Sequence, residues 1–109
     1  MLTSSAKGKG RRLQQWVVSK LLEKFVHLEV DDITSRSMGA GGEDVMLSPL
    51  ARKSIPYAIE CKNVERLNLW ATLTQAEQNA NGYIPLIVFK RNRSKVYAVI
   101  EFDRLLEMM

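Results

Sequence analysis

A mixed β-sheet flanked by helices, with element order αβββαββα, is the α/β fold that this sequence predicts. Apolar residues recur at three- and four-residue steps near the N-terminus and again in the second half, the period of a helix buried on one face. Between and after these segments lie short β-rich runs bounded by Gly, Pro, Asn and Ser. One helical segment bridges two such runs and a polar turn joins the last pair, so a crossover and a hairpin share the sheet. The chain has 109 residues, within the ~100–200 typical of one domain. With 46% hydrophobic and 26% charged residues, its composition is that of a globular protein, not a disordered one.

Residues 1–10 contain Ser4, Ser5, Gly8 and Gly10 and no apolar period, and are expected to be a flexible basic arm ahead of one domain over 11–109. From Arg11 to Leu28 the first helix is expected, with Leu13, Trp16, Val17, Leu21, Phe25 and Leu28 on one stripe. Val30–Arg36 reads as a strand, residues 37–42 as a glycine-rich loop and Asp44–Leu47 as a second short strand. Ser48–Ser54, with Pro49, reads as a turn. Ile55–Lys62 reads as the third strand, with Pro56 near its start, where a missing N–H matters least. Leu69–Ala80 is the second helix, with Leu69, Leu73, Ala76 and Ala80 as its stripe, Asn68 as N-cap and Asn81-Gly82 as its stop. Tyr83–Phe89 is an apolar strand. Arg91–Ser94 is its hairpin turn, Val96–Ile100 the partner strand and Asp103–Met109 a closing helix.

Residue counts narrow the chemistry. A single cysteine, Cys61, excludes an internal disulfide and a Cys-rich zinc site, and a single histidine, His27, excludes His-clustered metal sites. No run approaches the ~18–20 apolar residues of a membrane span, and no apolar segment follows the basic N-terminus as in a signal peptide. A soluble protein of the cytoplasm, with no membrane partner and no organic cofactor, is the expectation. The net charge is +4 and unevenly placed. Lys7, Lys9, Arg11, Arg12 and Lys20 have no acid among them, and Lys90, Arg91, Arg93 and Lys95 form a second cluster. Such clusters read either as solvated surface or as a footprint for phosphates.

The most informative residues are Gly41-Gly42-Glu43-Asp44-Val45 and Ile59-Glu60-Cys61-Lys62. On a strand, side chains two apart share a face, so Glu60 and Lys62 point one way and Ile59 and Cys61 the other. If the strands of Asp44 and Glu60 pair, two carboxylates and an ammonium converge at a sheet end. Two carboxylates suit Mg²⁺, which retains several waters and uses few protein ligands. A lysine beside them can orient an attacking water or stabilise negative charge on phosphate. Glu-x-Lys on a half-exposed strand is common in itself. An upstream Asp behind a glycine loop, preceded by a helix and a basic segment, makes the combination more specific.

This combination resembles the PD-(D/E)xK nuclease superfamily, and within it the archaeal-type Holliday-junction resolvases and small phage endonucleases. The resemblance runs from Lys9 to Ile100: Lys9-Gly10 opening the first helix, Arg36-Ser37-x-Gly39 leading to Asp44, Glu60-x-Lys62, then a helix and two strands. It implies a restriction-endonuclease-like core and a DNA endonuclease using Mg²⁺, with Mn²⁺ as a substitute. Asp44, Glu60 and the backbone carbonyl of Cys61 would be the metal ligands, and Lys62 would hold the attacking water. Ser37 would lie near the scissile phosphate, supported by Arg36. Glu43 stands where the family has Pro, and Gln14 or Gln15 where these resolvases have a first-helix glutamate. Many relatives carry a site-facing glutamine where this chain has Gln75, which otherwise reads as a solvent-facing helical residue.

DNA contacts are expected from Lys7, Lys9, Arg11, Arg12, Arg36, Ser37, Gly39, Lys90, Arg91 and Arg93. The substrate is expected to be branched DNA such as a four-way junction. Paired incisions need two active sites, hence a homodimer. A noncatalytic DNA-binding module on the same fold, or a nicking or repair nuclease acting on linear duplex, remains the alternative. Trp16 and Trp70 fit base stacking or, from their place on apolar stripes, the core. Cys61 reads as a buried small hydrophobe and His27 has no assigned role.

Overall fold

A computed structural model of the chain describes residues 4–37 and 41–109. It is an α/β fold with nine elements among those residues: α1 (Ser4–Lys24), β1 (Ile33–Ser35), β2 (Val45–Leu47), α2 (Pro49–Ser54), β3 (Tyr57–Asn63), α3 (Leu69–Asn79), β4 (Ile84–Lys90), β5 (Tyr97–Val99) and α4 (Phe102–Met108). The order carries one helix more than expected. Ser48 caps α2 by accepting the Ala51 amide at 3.0 Å, and Pro49 occupies its first turn, where its fixed φ suits a helix start. A segment read as a turn from its proline is therefore a short helix.

The N-terminus differs more. Helix α1 begins at Ser4, so Lys7 and Lys9 lie on its first turns and not on a flexible arm. The helix also ends earlier than expected, at Lys24, and Leu28 reaches the core from the turn beyond it. The first strand is shorter than the Val30–Arg36 run. Asp32 holds the chain before it in a turn, accepting the Glu29 amide at 2.8 Å and the Ser48 hydroxyl at 2.7 Å.

The strands form two small sheets instead of one. β1 and β2 pair antiparallel, with Thr34 opposite Met46. β3, β4 and β5 form a mixed sheet, β3 parallel to β4 through the α3 crossover and β4 antiparallel to β5. The sheets touch where the Asp44 amide donates to the Ile59 carbonyl at 3.0 Å, just before β2 starts. The residues singled out in the sequence, Asp44, Glu60 and Lys62, are set around this junction.

Burial follows the strand alternation. Ile59 and Cys61 join Leu13 and Val17 of α1, with Ile33, Val45, Ala51 and Ile55, in the main core. The opposite face of the sheet, with Ala58 and Ile87 buried, meets α3 through Thr72, Ala76 and Ala80. These small residues let the helix lie close to the sheet. Leu69 and Leu73, expected on the buried stripe, are only partly covered, because the helix is turned to seat its small residues. Neither tryptophan is core: Trp16 is 45% exposed and Trp70 78%. Among the described residues, no helix is long and apolar enough to cross a membrane.

Candidate functional site

One cleft of about 230 Å³ gathers the residues expected to hold metal and act on phosphate, Asp44, Glu60, Cys61 and Lys62, together with Ser37 and Gln75. Gly10 and Gln14 of α1, Gly41 and Gly42 of the loop and Asn79 of α3 complete its walls. Three of its sides are thus set by three different accidents of sequence. Strand alternation aims Glu60 and Lys62, the sheet junction brings Asp44, and the helical step from Gln75 to Asn79 puts both on one face of α3.

Asp44 is held by the backbone it faces. Its Oδ2 accepts the Cys61 amide at 2.7 Å while its own amide bonds Ile59. In an extended strand a residue's N–H and C=O lie on the same edge. The Cys61 carbonyl therefore faces the edge where the Asp44 carboxylate sits, as required of a backbone oxygen ligand.

Glu60 is only 3% exposed, and Asn79 Nδ2 donates to its Oε1 at 2.9 Å. Among the described residues three polar side chains are buried, Gln14, Glu60 and Thr72, and two of these line this one cleft. Glutamate is rarely buried so fully unless paired.

Burial raises the pKa of both carboxyls above the ordinary values of 3.8 for Asp44 and 4.5 for Glu60. For Glu60 the negative charge of Asp44 adds to the rise. The Cys61 amide on Asp44, the Asn79 amide on Glu60 and the Lys62 ammonium near both pull the other way. Two adjoining desolvated carboxyls, with Asp44 opposing the ionisation of Glu60, are the donor set a hard divalent cation relieves. Among the described residues no three His, Cys, Asp or Glu side chains converge. A cation here would be held by Asp44 and Glu60, with oxygen from Cys61 and water completing the shell. Burial pushes the Cys61 thiol far up, so it is a hydrophobic residue and not a nucleophile.

Glu43 does not belong to the cleft. Its carboxylate takes Arg52 Nη2 at 2.7 and 2.6 Å, its carbonyl takes Arg36 Nε, and Arg52 Nη1 also donates to the Tyr57 carbonyl at 2.7 Å. The Arg52 guanidinium lies 3.9 Å from the centre of the Tyr83 ring. Glu43 and Asp44 lie side by side just before β2, with Asp44 lining the cleft and Glu43 held outside it by Arg52. Gly42 shapes the approach: its φ is +94°, and a Cβ there would sit 3.3 Å from the Arg36 guanidinium.

Burial also decides between two neighbouring glutamines. Gln14 is 4% exposed and lines the cleft, while Gln15 is exposed in a separate depression with Arg11, Ser35, Arg36 and Ser37. Gln75 sits at the rim, exposed. Asn79 was not anticipated from sequence, although its four-residue offset from Gln75 is the signal that could have found it.

The expected DNA-contacting side chains lie on several elements. Arg36 and Ser37 flank the candidate site, Arg11 shares the depression beside it, and Arg12 and Lys90 line another cleft. Lys7 is exposed on α1, and Arg91 and Arg93 are exposed on the β4–β5 turn, where Arg93 has φ 63°. Gly39 lies outside the described residues. Comparison with known proteins adds no relative: no protein-family model, curated protein or solved structure matches this chain.

Proposed function

We propose that this protein is a divalent-metal-dependent DNA endonuclease with a restriction-endonuclease-like core. It hydrolyses phosphodiester bonds, prefers branched DNA such as a four-way junction and works as a homodimer. The observation that carries this reading is the meeting of Asp44, Glu60 and Lys62 in one cleft, with both carboxyl pKa values raised. Asp44, Glu60 and the Cys61 carbonyl fit Mg²⁺ or Mn²⁺, which when bound would supply electrostatic stabilisation of the phosphate.

Lys62 is the cleft's cation, placed to orient water towards phosphorus and to offset charge that develops on the phosphate oxygens. Asn79 fixes Glu60 through one carboxylate oxygen. Arg36 and Ser37, at the adjoining mouth, suit the strand being cut. Gly41 and Gly42 leave the backbone near that strand without side-chain bulk. The basic residues around the cleft favour a polyanion over a small anionic substrate.

The test is incubation of purified protein with end-labelled four-way junction, nicked duplex and linear duplex, each with and without Mg²⁺. Metal-dependent cutting of the junction in preference to the duplexes supports the reading. Cutting of linear or nicked duplex alone would make it a nicking or repair nuclease. Binding without cutting in any metal would make it a noncatalytic module.

A further inference from the structure

Immediately behind the candidate site, across strand β3, lies a second cleft. Asn63 follows Lys62 on the strand and so points to the opposite face, towards α1. There it lines a cleft of about 260 Å³ with Arg12, Leu13, Trp16, Lys90 and Val96. This is below the ~300–1,000 Å³ of sites for drug-sized ligands and suits a single heterocycle.

Two features of this cleft are not accounted for by folding. Trp16, which lies on a helix stripe with a buried Leu13 and Val17, is nevertheless 45% exposed. The Oδ1 of Asn63 is buried with no hydrogen-bond partner among the described residues. A large exposed aromatic is a stacking surface, and the Asn63 amide, which lines the cleft, can offer its unpaired oxygen to a base N–H once a half-turn about its Cβ–Cγ bond brings that oxygen outward. The charges around them are positive. Arg12 and Lys90 stand in the cleft, and Lys20 Nζ lies 5.4 Å from the centre of the Trp16 ring. Acidic side chains are absent from the lining.

We propose that the Trp16–Asn63 cleft receives one unpaired DNA base, stacked on Trp16, with Asn63 accepting a base N–H and Arg12 and Lys90 holding the flanking phosphates. Every base has a π-face, and each offers at least one N–H on its pairing edge, so the site distinguishes unpaired from paired DNA without reading sequence. A duplex keeps its bases stacked and its N–H groups engaged and has nothing to place there. The inference rests on DNA being the ligand. It supplies what the catalytic cleft lacks, a means of sensing that the strand beside the scissile phosphate is open.

The experiment uses a Trp70→Phe background, in which Trp16 is the only tryptophan of the two in the sequence. The probe is a short oligothymidylate in Ca²⁺, compared with a blunt duplex of the same length and with oligouridylate. The single DNA strand is expected to quench Trp16 fluorescence saturably and the duplex far less. In the wild-type background, Trp16→Ala is expected to weaken oligothymidylate binding about tenfold, within the range one stacked base supplies, and Trp16→Tyr to restore most of it. Asn63→Leu, which removes the acceptor without removing the stack, is expected to weaken it severalfold. Equal quenching by the duplex, quenching by oligouridylate alone, or unchanged affinity in both Trp16→Ala and Asn63→Leu overturns the proposal. Junction cleavage by the wild type is scored separately. A chain that cuts nothing while Trp16 is quenched by single strands keeps this site and loses the nuclease reading. A chain that cuts junctions while Trp16 stays silent does the reverse.

Discussion

Asp44 Oδ2 accepts the Cys61 amide at 2.7 Å, so the carboxylate proposed to hold metal also fastens the two sheets to each other. The two duties separate by substitution. Asparagine keeps an oxygen for the Cys61 amide but brings no charge, whereas alanine leaves that amide without its partner. An unsatisfied buried donor costs about 1–3 kcal/mol. Asp44→Ala is therefore expected to be less stable than Asp44→Asn by about that amount in urea denaturation. Both are expected to lose Mg²⁺ binding in calorimetry. Metal binding retained by Asp44→Asn would remove Asp44 from the ligand set.

The raised carboxyl pKa values set a pH dependence. A carboxyl whose pKa is higher in the folded than in the unfolded chain binds its proton more tightly when folded. Its stabilising contribution is present below the unfolded value, 3.8 for Asp44 and 4.5 for Glu60, and is lost as pH rises through the folded value. In EDTA, the melting temperature contributed by this pair is expected to fall with rising pH above that window. Added Mg²⁺ is expected to stabilise more at pH 7 than at pH 5, because metal and proton compete for the same oxygens. Glu60→Gln should flatten the EDTA slope and reduce the Mg²⁺ effect. Asp32 works in the opposite sense. Its pKa is lowered, by the Glu29 amide first and the Ser48 hydroxyl next, so its contribution is lost as pH falls. Asp32→Asn is therefore the control that leaves the metal effect in place.

The Arg52–Glu43 pair predicts damage to stability without damage to the site. The two side chains are 14% and 12% exposed, enough burial that removing one charge strands the other. Glu43→Gln is expected to cost about 3 kcal/mol, the lower end for a broken buried pair because some solvent reaches it. Mg²⁺ affinity of the remaining folded protein should be unchanged. A selective loss of metal binding with normal stability would put Glu43 back among the ligands.

These cases show where the sequence was readable and where it was not. Glu60 and Lys62 were legible because strand alternation dictates which side chains share a face, whereas Asp44 and Gln75 were named from the family resemblance, which the spacing alone does not give. The α3 cap at Asn68 was equally legible, since its side chain accepts the Ala71 amide at 3.1 Å. Periodicity does not say which face a helix buries when apolar and small residues compete. Of the expected stripe Ala76 and Ala80 are buried, joined by Thr72, while Leu69 and Leu73 are only partly covered, because a close helix–sheet approach favours small residues, and this choice leaves Trp70 outside. Nor does local composition reveal that Ser4–Gly10 continues a helix, since glycine and serine there lower its propensity without forbidding it once the helix is extended from a packed core. The role of Glu43 was undecidable from sequence because its partner, Arg52, lies across a turn of α2.

Asn79 is expected to act through Glu60. Its amide donates to Glu60 Oε1 at 2.9 Å and holds the carboxyl pKa below where burial alone would leave it. Asn79→Leu should therefore raise the Glu60 pKa further. The pH midpoint of Mg²⁺ binding should move up, and any cleavage profile should move with it, with activity recovering at higher pH. A merely structural role would lower activity equally at every pH. Asn79→Gln, if it reaches Glu60, should recover part of the shift.

Lys62 separates an enzyme from a binding module. It is partly buried at the cleft, and among the described residues no hydrogen bond or ion pair of its side chain holds the fold together. Lys62→Ala is therefore expected to cost little stability, about 1 kcal/mol or less. Single-turnover cleavage of a junction in Mg²⁺ should slow by roughly a hundredfold or more, the scale for removing a positioned acid–base or electrostatic group. Binding of the junction in Ca²⁺ should change far less, because one positive charge among many is lost. The metal response has a definite sign. The ammonium lowers the pKa of both Asp44 and Glu60, so without it their proton competition reaches to higher pH. Once both are ionised, the unopposed pair should bind Mg²⁺ more tightly than in the wild type. Lys62→Ala should thus bind metal more weakly at low pH and more strongly at high pH, with the two curves crossing. Equal cleavage rates for wild type and Lys62→Ala would remove the nuclease assignment from this cleft. A collapsed melting temperature would make Lys62 a structural residue, and parallel metal-binding curves would mean that its ammonium does not face the carboxyl pair in solution.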